Sequence, residues 1–152
     1  MGDDGVACLV AAQLSSNPML PADTEVTVCG TDLLRAANAI RGRTRVFIVD
    51  AALEDTPPGT VSVFRLKDGI GPASSSRHAH GLSPMDTLEL LKIAGSSDTA
   101  PEFTLVTIAV KSVRMRDQLS AALAAALPQV TEDIARLLIT AAGERLTQVP
   151  TA

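Results

Sequence analysis

The sequence has no tryptophan and no tyrosine, and three phenylalanines leave its aromatic content at 2%. Nucleic-acid surfaces normally combine a basic footprint with aromatic stacking platforms. This chain has neither, since its formal net charge is −4 and its lysines and arginines form no dense run. Nucleic acid is therefore not expected as a partner. Long hydrophobic runs are missing as well. Apolar stretches such as "AALAAAL" fall well short of the roughly 18 residues a membrane span needs. The N-terminus carries no basic-then-apolar signal pattern, and "MGDDGV" lacks the serine or threonine of a myristoylation site. Cysteine is scarce: Cys8 and Cys29 form no CxxC and no metal-ligand spacing. Reduced, packed thiols in a cytoplasmic chain with no membrane partner are the expectation.

What is present suits one folded domain over residues 1–152, 46% of which are hydrophobic. A globule of this size buries roughly 70% of its unfolded surface. With so few aromatics, leucine, valine, isoleucine and alanine must fill the interior.

Periodicity gives the order of elements. Val6, Leu9, Val10 and Leu14 recur at three- and four-residue spacing, so residues 4–14 read as an amphipathic helix with Asp3 or Asp4 near its start. "SSNPMLPAD" ends it. "EVTVCGTD" alternates like a strand and leads into a helix through Ala37 and Ile40. "RVFIVDAAL" is a continuous apolar run holding an acid, the pattern of a strand buried on both faces. "TVSVFRL" alternates again, and the connection before it is too short for a parallel crossover, which predicts an antiparallel strand. A polar loop, "KDGIGPASSSRHAHG", precedes a helix in "SPMDTLELLKIAG", with Ser83 at its cap and Gly95 past its end. "FTLVTIAV" predicts one more buried strand. A helix follows from "DQLSAALAAAL" onward, with a break or bend expected at Pro128. The series describes the α/β class: a single three-layer domain with a twisted, mixed and mostly parallel sheet, helices on both faces, and no leading strand.

Open α/β sheets bind ligands beyond the carboxyl ends of their strands. Asp50 emerges there from "VFIVD", and Asp3 and Asp4 start a helix that would follow a strand in any βα unit. The only histidines, His78 and His80, sit in the loop before the Ser83 helix. Two carboxylates and an imidazole from three segments suit a borderline divalent ion such as nickel or zinc, with positions left open for water or substrate. Each residue also has a plain structural role open to it. Asp3 can cap a helix, Asp50 can hold loop amides, and both histidines can be solvated. The convergence of three segments favours the chemical reading. Ser74 to Ser76 show no G-x-S-x-G elbow, and "GTDLLRAANAIRG" has too few glycines to cradle a phosphate.

Taken in order, "GDDGVACLVAAQL", "VTVCGTDLLRAAN", "VFIVDAAL", "PGTVSVFRL", "HGLSPMDTLELLKIAG" and "LSAALAAALPQVTEDIARLL" resemble the hydrogenase maturation endopeptidases. The likeness extends from Gly2 to about Leu146. It implies a cytoplasmic, aspartic-type, metal-dependent endopeptidase. Such an enzyme removes the C-terminal peptide of a nickel-iron hydrogenase large-subunit precursor once nickel has been inserted. The resemblance puts the acid of its D-[DE]-G motif on Asp4, its strand-ending acid on Asp50, and its loop histidine on His80, with His78 as the alternative. Asp4, Asp50 and His80 would contact nickel carried by the substrate, for which other divalent metals can substitute, and Asp4 and Asp50 would be catalytic. Either a carboxylate or a metal-polarised water would attack the peptide.

Members of the family look as if they begin with an apolar strand and a G-x-G-N turn, which this sequence does not show ahead of Gly-Asp-Asp-Gly. A missing central strand would leave unpaired backbone edges. The expectation is reduced stability or self-association through exposed sheet edges. Two other readings compete. An inactive relative could serve as a binding module. A phosphoacceptor signalling domain would use Asp3, Asp4, Asp50 and Lys111, but it needs a helix directly after the acceptor acid, where "AALEDTPPGTVSVFRL" offers a turn and a strand.

Overall fold

The computed structural model describes residues 2–30, 33–66, 77–78, 101–113 and 118–144. The predicted helix from Ser83 and the loop position His80 lie outside the described residues. The amide of Gly5 donates to the Gly2 carbonyl at 2.9 Å and closes a 3-10 turn, Asp3–Gly5, that runs directly into helix α1 (Val6–Ser15). Val6, Val10 and Leu14, one turn apart, are its buried stripe. Asn17 and Pro18 stop the helix, and the Asn17 side chain accepts from the Met19 amide at 2.9 Å in a local turn. Helix α2 (Leu33–Ile40) follows.

Among the described residues four strands form one mixed sheet: β1 (Arg45–Leu53), β2 (Val61–Leu66), β3 (Arg77–His78) and β4 (Glu102–Val110), in the order β2-β4-β1-β3. The central pair, β1 and β4, is parallel from Arg45 opposite Glu102 to Leu53 opposite Val110. Both flanking pairs are antiparallel. β2 runs in the predicted direction but does not adjoin β1, because β4 lies between them. β4, paired along its length with β1 on one side and β2 on the other, is buried over most of its length, whereas β1 is largely half-buried. Arg77 and His78, expected in a loop, instead form a short strand against Leu53 and Ala52.

The stretch Thr24 to Cys29 alternates like a strand but carries no ladder. A strand needs a neighbouring backbone as well as a side-chain pattern, and none of the described strands pairs with it. It is held by the Glu25–Arg43 ion pair and by packing of Val26 against the core. Along β1 only Ala52 and Leu53 have a second strand partner among the described residues.

Helix α3 (Ala121–Glu144) continues through Pro128, so the break that is one of the two expected outcomes there does not occur. Proline removes one backbone bond, and buried Leu123 before it and Val130, Ile134 and Ala135 after it hold both halves on the same core. α1 and α3 together cover the sheet face that carries Ala51, Val106, Ile108 and Val110. The Thr131 hydroxyl donates to the Gln13 side chain at 2.6 Å and joins the two helices. The interior is mainly aliphatic, as composition requires, and Cys8 and Cys29 are half-buried and form no disulfide. No helix among the described residues is long and apolar enough to cross a membrane.

At the N-terminal end of the parallel pair, Arg45 donates to Glu102 at 3.1 Å and to the Ala141 carbonyl of α3. The two partners differ in value. The Glu102 side chain is 77% exposed and that of Arg45 only 16%, so the ion pair is largely screened by solvent. Glu102→Ala is expected to cost less than about 0.5 kcal/mol. Arg45→Ala, which also strips a helix-terminal carbonyl of its donor, should cost about 1 to 2 kcal/mol in a urea melt.

Candidate active site

Because β1 and β4 are parallel, their C-terminal ends open on the same rim of the sheet. The chain enters β2 at that rim too, since Val61 pairs with Ile108. Asp50 stands three residues before the end of β1. Its Oδ1 accepts from the following amide, that of Ala51, at 2.9 Å, a local bond that fixes the carboxylate's orientation. Its register partner on β4 is Thr107, whose own partner on β2 is Ser62. Register partners project from the same face of a sheet, with neighbouring strands about 4.8 Å apart. Asp50, Thr107 and Ser62 therefore make a polar row across a face otherwise built from residues such as Ile48, Leu105 and Phe64.

Three residues in this region carry no motif that would reveal them in the sequence. Thr107 is almost fully buried and donates its hydroxyl to Glu54 Oε1 at 2.9 Å. Glu54 leaves the end of β1, and its backbone carbonyl accepts from Lys111 Nζ at 3.1 Å. These bonds bring the segments after β1 and β4 together beside Asp50. A buried threonine in an apolar strand was the available signal, but its partner is 53 residues away.

The turn Asp3–Gly5 packs against β1 and α1, so the acid pair approaches the strand that bears Asp50. The two acids are used differently. Asp3 is 5% exposed, and its Oδ1 accepts from the Ser120 amide at 2.7 Å, at the start of α3. It does cap a helix, though not the one it precedes: the N-caps of the turn and of α1 are Gly2 and Gly5, which have no side chain to cap with. Asp4 Oδ1 is buried and has no hydrogen-bond partner among the described residues. A buried carboxylate oxygen without a donor costs about 1 to 3 kcal/mol or more. Such an atom fits a cation or donor brought by a ligand.

Among the described residues no group of three or more His, Cys, Asp or Glu is assembled that could hold a metal ion. Of the predicted trio, Asp4 and Asp50 come from segments in contact with each other, and His80 lies outside the described residues. His78 is in β3, with its backbone opposite Ala52.

Comparison with known proteins agrees with the sequence motifs. The model of the hydrogenase maturation protease family matches residues 8–137. Protein FrxA of Pyrococcus furiosus is 27% identical over 139 residues, which is 91% of this chain and 97% of that protein. Among solved structures, the [NiFe] hydrogenase maturation protease HybD from Thermococcus kodakarensis superposes with a TM-score of 0.71 at 27% identity, covering 91% of each chain. The hydrogenase maturating endopeptidase HybD from E. coli gives 0.70 at 21% identity, covering 93% of this chain and 86% of its own, and it bears on the fold alone.

Proposed function

The chain belongs to the hydrogenase maturation protease family, and on that premise we propose that it removes the C-terminal peptide from the large-subunit precursor of a nickel-iron hydrogenase after nickel insertion. The reading is of an aspartic-type, metal-dependent endopeptidase acting in the cytoplasm. The observation that carries it is the buried, donorless oxygen of Asp4 on a turn packed against the strand that presents Asp50 at the sheet's open rim.

Nickel is here part of the substrate, held by the immature subunit. Carboxylates and imidazole suit it, and Asp4, Asp50 and His80 are the groups that would reach it. His80 is preferred to His78 because it keeps the family's distance to the apolar run "LELLKIAG". Recognition of a metal already seated in the precursor would restrict cleavage to subunits that have received it. Asp4 and Asp50 then serve both to fix the scissile bond at the rim and to handle the proton of the attacking group.

The test uses purified precursor with and without nickel. Cleavage, read by intact mass, is expected only with the nickel-loaded subunit, and His80→Ala should slow it about 100-fold while His78→Ala changes it less than about threefold. Equal cleavage of both precursor forms would overturn the metal-recognition reading. Tight binding without any cleavage would identify a non-catalytic binding module instead.

A further inference from the structure

The turn that carries Asp4 is three residues long and is held locally by two backbone bonds, from the Gly5 amide to the Gly2 carbonyl and from the Val6 amide to the Asp3 carbonyl, with no side-chain cap. Its single side-chain anchor in the described structure is Asp3, buried and bonded to the Ser120 amide at 2.7 Å. Ser120 is itself committed to α3. Its hydroxyl accepts from the Leu123 amide at 3.4 Å and its carbonyl from the Ala124 amide at 2.9 Å, and Leu123 is completely buried. The anchor point therefore belongs to a helix of 24 residues fixed in the core.

We propose that Asp3 is a positioning residue: by docking on the first turn of α3 it sets where Asp4 stands, while Asp4 alone meets the substrate. The proposal rests on the reading of Asp4 given above. Two adjacent acids then divide the work. One carboxylate is consumed by the protein and the other is left with a buried oxygen for the ligand. Losing the anchor lets the turn shift, and a metal contact held by a loosened neighbour weakens by about 10- to 100-fold.

The experiment compares Asp3→Ala, Asp3→Asn and Asp4→Asn on nickel-loaded precursor, with KM and kcat measured separately below the melting temperature of each variant. Asp3→Ala is expected to raise KM about 10-fold or more and to lower kcat as well, because the Asp4 that shifts serves both recognition and proton handling. Asp3→Asn keeps an oxygen for the Ser120 amide and is expected to return KM to within about threefold of the parent. Asp4→Asn should lose cleavage. If Asp3→Ala does not fold, Asp3→Glu replaces it: the added methylene displaces the turn at constant charge, and the same rise in KM is expected. A parental KM in the Ala or Glu variant overturns the positioning role. An Asn variant as poor as Asp4→Asn also overturns it, since Asp3 would then touch the substrate. Normal cleavage by Asp4→Asn would remove the underlying reading independently.

Discussion

Asp50→Asn should reduce peptide release by about 1,000-fold or more and leave the thermal melt within about 1 °C of the parent. The separation follows from how the side chain is used. Asparagine keeps the Oδ1 that accepts from Ala51, keeps the volume, and keeps the place opposite Thr107 in the sheet. What it loses is the negative charge, the property needed to bind a cationic metal or to take a proton. The backbone ladder of the parallel pair from Arg45 to Leu53 does not involve that charge. Cleavage by the variant at the parent's rate would remove Asp50 from the chemistry. A matching loss of stability would turn it into a structural acid.

The largest stability effect is expected at Gly59, in the turn before β2. Gly59 has φ +87°, where a side chain is strained, and a Cβ built there would lie 2.5 Å from the Ala126 Cβ of α3. The Gly59 amide also donates to the Ala109 carbonyl at 2.9 Å, so the turn cannot drift away without giving up its bond to β4. Gly59→Ala should cost about 3 to 4 kcal/mol, combining the left-handed penalty with overpacking. Combining it with Ala126→Gly separates the two contributions. The steric part should return, offset by about 1 kcal/mol for glycine inside a helix, and the backbone part should not. Denaturant midpoints of the two singles and the double measure this. A Gly59→Ala protein as stable as the parent would show that the turn has room the geometry denies it.

Much of this architecture is legible in the amino-acid order because burial leaves a local imprint. The continuous apolar runs "VFIVDAAL" and "FTLVTIAV" are the two strands of the parallel pair, and the three- and four-residue spacing of Val6, Val10 and Leu14 is the face α1 buries. Partner choice leaves no such imprint. The short connection after β1 restricts the direction of β2 but not its neighbour, and β4 enters between them from residues far along the chain. "EVTVCGTD" shows the converse case, an alternating pattern with no described strand beside it to complete a ladder.

The same distinction holds at the rim. Acids at a strand end and at a helix start stand out by position, which is why Asp4 and Asp50 could be singled out from the letters. Glu54 and Lys111 could not, since their relation to Asp50 runs through the register of β1 with β4. Nor could the different fates of Asp3 and Asp4, which are identical neighbours until the partner of the first is known.

That partner has a consequence for biosynthesis. Ser120 lies 117 positions beyond Asp3, so during translation the turn cannot dock on it until that later segment has been made. At ordinary ribosomal speeds the delay is on the order of 10 s. A nascent or prematurely terminated polypeptide lacking Ser120 would carry both acids and still lack the support that orders them. The shape of the turn that bears Asp4 is thus completed only after Ser120 has been synthesised.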